Sequence, residues 1–394
     1  MPGKTNKVIV IIFLTVLSIA AAENEKPGNF TDIYKKWKNG PPAEPGFFPI
    51  AVWLQSVEDA PAYKTAGINT FVALREGPKP GEIEKLGAAG MYLVCEQNKT
   101  ALLKKDDRTI IAWKGAEEPD NALVPVYGKK NNICTKPAVV IAGYKDIIYR
   151  DNSRPVLANF GQGLVIDNYE GRGPGADIND YREYFKGGDI ISFSVFPVAG
   201  RGSENLLWYQ GKGLERIAEF GGADKIKWNF IETASIREPI KKPSSLDIKA
   251  EVWISIVHGS KGIVYYCQQF KPNYNPRALL NDREIFTAVS GINRQIKEMA
   301  PVINSPDISG LTVTSGRNEA TIKTVMKIYK EDIYIFAVPV RNGKTTGTFI
   351  INGIKNENTA EVLGEARSVE ISAKGVFKDS FQSWQVHLYK IKKN

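Results

Sequence analysis

Short apolar runs recur along the first 300 residues of the chain, with helical or polar segments between them. Phe48 to Leu54, Thr70 to Leu74, Met91 to Cys95, Ile110 to Trp113, Val156 to Asn159, Ile190 to Phe196, Ile226 to Ile231 and Gly262 to Cys267 are each continuous and rich in β-branched or aromatic residues. Runs this short and this uniformly apolar are the mark of parallel strands covered on both faces. Helical patterns fill several of the gaps, at Val57 to Ala66, Glu82 to Gly87, Tyr181 to Phe185, Leu214 to Phe220 and Leu246 to Ile256. Gly-Gly pairs at 187–188 and 221–222 close two of these just before strands, where residues tolerant of left-handed backbone belong. Eight such repeats in about 250 residues predict a (β/α)8 TIM barrel. A doubly wound sheet is the competing arrangement, but no Gly-rich phosphate turn follows the first run.

The rhythm changes near Ala300-Pro301. Beyond it come Thr321 to Tyr329, Ile333 to Val340, Thr346 to Ile351, Ala360 to Leu363, Val369 to Ile371, Gly375 to Phe377 and Trp384 to Ile391, with Asn342-Gly343 as a hairpin signal. The expectation is a small C-terminal antiparallel β-sandwich over 301–394, following a barrel over 23–300.

Residues 1–22 read as a signal peptide. Lys4 and Lys7 precede an apolar stretch from Val8 to Ile19, and Ala20-Ala21-Ala22 offers a small-residue cleavage site. The expected location is therefore secreted or periplasmic, with no stable membrane insertion after cleavage. An uncleaved anchor is the other reading of the same stretch. Net charge is +9, yet the basic residues are scattered rather than gathered into a stripe, which argues against nucleic acid as a partner. Three cysteines without a CxxC, and only two histidines, leave little material for a metal site or a Ser-His-Asp triad. No cofactor is implied.

A barrel of this kind builds its active site at the C-terminal ends of its strands. Trp53 and Gln55 follow the first run, Arg75 and Glu76 the second, Glu96 and Gln97 the third, Glu117 and Glu118 the fourth. Asn159, Gln162 and Asp167 follow the fifth, Phe196 the sixth, Glu232 the seventh, and Gln268 the eighth. Glycosidic hydrolysis needs a protonated carboxyl on the leaving oxygen and a carboxylate facing the anomeric carbon. Glu118 and Glu232, on strands across the barrel mouth from each other, are the expected catalytic pair. Trp53, Gln55, Arg75, Glu96, Glu117, Gln162, Trp208 and Gln268 are the expected substrate contacts. Trp208-Tyr209 lies in a polar, Gly-rich stretch; Arg75 could orient Glu232 or form a surface ion pair; His258 reads as structural.

These residues resemble clan A glycoside hydrolases, in which the acid/base glutamate follows strand four, commonly before proline, and the nucleophile ends strand seven. The stretches Phe47–Trp53, Arg154–Gly163 and Glu251–Ser260 resemble secreted bacterial glycosyl hydrolases. The resemblance implies a retaining mechanism on a β-linked oligosaccharide or polysaccharide, with Glu118 as acid/base and Glu232 as nucleophile. Glu117 stands where the family usually has an asparagine that contacts the sugar 2-hydroxyl, and Phe196 where many members have a tyrosine. The first departure leaves open which of Glu117 and Glu118 faces inward, with Glu118 favoured because it precedes Pro119 as in the family. Both departures keep a non-catalytic carbohydrate-binding protein as the alternative.

Overall fold

The computed structural model describes residues 32–122, 134–169, 175–316 and 320–392. The expected signal peptide lies outside them. The eight apolar runs form eight parallel barrel strands: β1 Ile50–Trp53, β2 Thr70–Val72, β3 Tyr92–Cys95, β4 Ile110–Glu117, β5 Val156–Phe160, β6 Ile190–Phe193, β7 in two pieces (Ile226–Lys227 and Asn229–Glu232) and β8 Ile263–Tyr266. Each pairs in parallel with the next, and β8 returns to β1 through Ile50↔Ile263, so the ring closes.

Strand β7 is split because it serves two neighbours. Its first piece pairs with β6 and its second with β8. The interruption falls at Trp228, whose backbone N–H donates to Ile191 and whose indole N–H donates to the Tyr34 hydroxyl at 2.9 Å. Gly262 faces the indole so closely that a Cβ there would lie 2.8 Å from it. Trp228 joins Ala51, Val72, Val94, Ala112, Leu157, Phe230 and Val264 in the packed barrel interior.

Helices cover the outside of the ring, among them Pro137–Arg150, Tyr209–Gly221, Ser245–Val257 and Arg283–Ile303. Ser244 opens the third of these with a reciprocal capping box to Asp247. Arg154 is fully buried, donating to the Ile110 and Asp107 carbonyls and pairing with Asp151 at 2.7 Å, with its guanidinium over the Trp113 ring. The Arg154-Pro155 motif is thus a structural strut. Cys95 and Cys267 are buried free thiols, and His258 is held by the Ile254 carbonyl at 2.7 Å. No helix among the described residues is long and apolar enough to cross a membrane.

The C-terminal region is a sandwich of a three-stranded and a five-stranded antiparallel sheet. Strand Asp332–Pro339 is apolar on both faces because both are used. Ile335 and Ala337 enter the sandwich core, while Tyr334, Phe336 and Val338 pack toward the barrel helices. Asn342-Gly343 does not make a hairpin: the strands it joins, Asp332–Pro339 and Thr345–Ile351, belong to different sheets. The tight turn is Lys330-Glu331, both at positive φ, between paired Tyr329 and Asp332. That is the geometry of a type I′ turn without its usual Asn-Gly.

Trp253 lies at the domain junction, edge-on to Phe336 at 5.2 Å and donating to Gln295. Trp253→Ala is expected to destabilise the protein by roughly 3–5 kcal/mol, the usual cost of deleting a buried aromatic. Urea unfolding monitored by far-UV circular dichroism measures it, and a loss below about 1 kcal/mol would remove this residue from the junction.

Candidate active site

The polar mouth of the barrel is built by a register change in β4. Lys114 pairs with Leu157 of β5, but Glu117 pairs with Asn159, so three steps on one strand match two on the other. The extra residue turns Glu117 toward the mouth, where simple alternation from Lys114 would have turned it away. Asn159 is 2% exposed and fully engaged. Its amide N–H groups donate to Glu117 Oε1 at 2.9 Å and Ser194 Oγ at 3.0 Å, and its oxygen accepts from Ser192. Lys114 Nζ sits 3.7 Å from Glu117 Oε2 and 3.5 Å from Glu96 Oε1, above the Trp53 ring at 5.5 Å.

Crowding by the protein walls pushes Glu117 up to about 7, against the pull of Lys114 and Asn159; Glu118 and Glu96 add to the rise. With 35% of its side chain open, this is a carboxyl in a walled cleft, in contact with solvent. Glu118 follows at φ 42°, a conformation costly for a residue with a Cβ. It is secured by its N–H donating to the Asn159 carbonyl at 2.8 Å, and Pro119 follows. Its Oε2 accepts from Asn121 at 3.2 Å. Asp120 next to it is buried, accepting from the Gly161 N–H and the Tyr181 hydroxyl, and burial raises it to about 6. It ties the β4 loop to the β5 loop.

The aromatic wall comprises Trp53, Phe196, Phe230 and Tyr266. Trp53 meets Phe230 at 5.4 Å and Phe196 meets Tyr266 at 4.9 Å. Lys114 and Tyr266 were not singled out in the sequence. Both stand two residues beyond inward-facing Ala112 and Val264, which is the signal that finds them.

Several expected contacts have other tasks. Gln55, 4% exposed, accepts from the Tyr63 hydroxyl at 2.6 Å. Gln268, 3% exposed, donates to the Trp53 and Leu54 carbonyls and fastens β8 to β1. Trp208 lies at the domain junction, under the Arg341 guanidinium of the sandwich at 4.0 Å and edge-on to Tyr209. Arg75 donates to the Tyr274 hydroxyl at 3.2 Å and does not orient Glu232. Gln162 is half-buried on the β5 loop. Trp53, Glu96 and Glu117 are the expected contacts that the structure gathers in the mouth.

Glu232 ends β7 fully buried. Its two oxygens accept from the backbone N–H groups of Val198 and Ala199, each at 2.6 Å. Its carboxyl also hydrogen-bonds that of Glu251, on the helix behind, which Gln210 supports at 3.0 Å. Burial drives both carboxyls above the ordinary range, and the pair retains a proton that would otherwise leave. In this resting arrangement Glu232 holds the β6 loop, and that loop covers it. Among the described residues no group of three or more His, Cys, Asp or Glu is placed to hold a metal ion.

Raised pKa values in the folded state confer stability that is complete below the ordinary carboxyl range and is lost as pH rises through the elevated pKa. Melting temperature should therefore fall toward alkaline pH, and Glu251→Gln, which keeps a donor without an ionisable proton, should flatten that slope. Thermal unfolding from pH 4 to 9 tests this. A variant with the wild-type slope would show that the shared proton contributes nothing.

No protein-family model matches the chain, and no curated protein matches it. Solved structures do. An Anoxybacillus α-amylase aligns with a TM-score of 0.55 at 9% identity, covering 89% of this chain and 99% of that one. An α-amylase from Geobacillus thermoleovorans, complexed with acarbose, aligns at 0.53 and 10% identity, covering 91% and 99%. A GH42 β-galactosidase from G. stearothermophilus aligns at 0.54 and 8% identity, covering 90% and 100%. These alignments show a shared fold, which in this chain is a (β/α)8 barrel followed by a C-terminal antiparallel β-sandwich, the fold that the clan A resemblance implies.

Proposed function

We propose that the protein is a retaining glycoside hydrolase acting on a β-linked oligosaccharide or polysaccharide outside the cytoplasm. The observation that carries this reading is the cluster of Glu96, Lys114, Glu117 and Glu118 in an aromatic-walled mouth at the C-terminal end of the ring. The fold neighbours include both α-amylases and a β-galactosidase, so the linkage is inferred from the sequence resemblance and not from the fold.

In the proposed route Glu118 gives its proton to the leaving oxygen while Glu232 attacks the anomeric carbon, forming a glycosyl ester. Glu118 then takes a proton from water, which displaces Glu232 and releases the sugar. Glu117, fixed by Asn159 and Lys114, accepts a hydrogen bond from a sugar hydroxyl. The attack requires Glu232 to exchange its bonds to the Val198 and Ala199 amides for the anomeric carbon. The β6 turn must therefore shift as substrate enters.

The covered state of Glu232 favours a second reading, a carbohydrate-binding protein without turnover. Incubation with activated 2-fluoro glycosides followed by peptide mass spectrometry separates the two. An adduct on Glu232 is expected. Glu118→Gln should lower turnover roughly 10²–10⁴-fold, whereas Glu117→Gln should act chiefly on KM. Glycan binding with no adduct and no turnover on any sugar would establish the second reading.

A further inference from the structure

A line of aromatic rings leaves the mouth along the loop after β8. Tyr266, on the inner wall, lies 6.5 Å from Phe270 with the rings within 22° of parallel, and Phe270 lies 5.3 Å from Tyr274. Tyr266 is half-buried, but Phe270 and Tyr274 are 44% and 52% exposed. Large aromatic rings standing in water cost hydration free energy unless something covers them. The described residues leave much of both side chains uncovered.

The loop is braced as a platform. Gln269 and Asn275 exchange two backbone hydrogen bonds, both at 2.9 Å, closing a small hairpin. The Phe270 N–H donates to the Ser235 carbonyl at 3.0 Å, fixing it to the loop after β7. Arg75, from the loop after β2, holds the Tyr274 hydroxyl from the other side. The rings are thus presented by backbone pairing and by two neighbouring loops, so little ordering entropy remains to be lost on binding.

We infer that Phe270 and Tyr274 form an outer sugar-binding platform, occupied by pyranose units of the same glycan whose scissile bond lies in the mouth. The occupant follows from continuity: the ring line begins at Tyr266 on the wall of the mouth and runs outward without a break. Aromatic faces suit the axial C–H surface of a pyranose, and Arg75 and Gln269 at the edges suit its hydroxyls. The consequence is a preference for chains long enough to reach from the mouth to Tyr274, hence for polymeric substrates. This inference rests on the glycoside hydrolase reading and deepens it.

The test compares affinities for soluble xylan, mixed-linkage β-glucan and β-galactan with those for the matching disaccharides, by affinity electrophoresis and calorimetry. The parent is the Glu118→Gln protein, which limits cleavage. The parent should prefer the polymer it recognises. Phe270→Ala/Tyr274→Ala should lose roughly tenfold of that preference, and Phe270→Trp should keep it. Thermal melting confirms that each variant is folded. A double variant that discriminates chain length like its parent, or a parent that binds and a wild type that cleaves the disaccharide without preferring polymer, overturns the platform alone. Failure of the wild type to bind or cleave any of these glycans overturns the parent reading as well.

Discussion

Closure of the ring at β7 is the constraint on which the rest depends. A sheet of parallel strands has two unpaired edges, and here it becomes a barrel because one strand faces two neighbours at different heights. β7 does so by breaking at Trp228, with its lower piece on β6 and its upper piece on β8. The indole fills the interior where the strand leaves its first partner, and Gly262 gives it room. Because the break comes before Asn229, the upper piece delivers Glu232 alongside Tyr266. The strand tips that carry the mouth are therefore set by how the ring is shut.

A second regularity is visible at those tips. Leu54, Ala73 and Glu118, after β1, β2 and β4, all have positive φ, and each donates its N–H to a carbonyl of the adjoining strand. A single left-handed residue turns the chain off the strand while keeping one more rung of the ladder. Of these three, Glu118 alone bears a carboxyl, and it stands next to Glu117, which shares Lys114 with Glu96. At Glu117 burial by the surrounding walls outweighs the pull of Lys114 and Asn159, and the neighbouring carboxyls add to the rise.

The barrel was legible because its strands are buried on both sides, and that leaves continuous apolar runs no surface element imitates. Elements with one exposed face were harder to read. Helix Pro137–Arg150 buries only Val140 fully, and strand Leu311–Thr314 alternates at an edge, so neither announces itself. At the site, the strand ends themselves could be read, but the direction of each side chain could not. Glu117 turns inward through a register change against β5, and Glu232 is covered by amides more than 30 residues away. Gln55 and Gln268 look like substrate contacts in a list of strand ends, yet they satisfy a tyrosine and two carbonyls. These outcomes are decided by pairing between distant segments, which a single sequence does not display.

Strand Asp332–Pro339 has a wider consequence. With Ile335 and Ala337 committed to the sandwich and Tyr334, Phe336 and Val338 to the barrel helices, the C-terminal domain lacks a solvent-compatible outer sheet face. Produced by itself it would display an aromatic and aliphatic patch suited to self-association. It is not a module that recombination can transplant alone: a viable exchange would have to carry the helical surface around Trp253 with it, or repaint that face with polar residues.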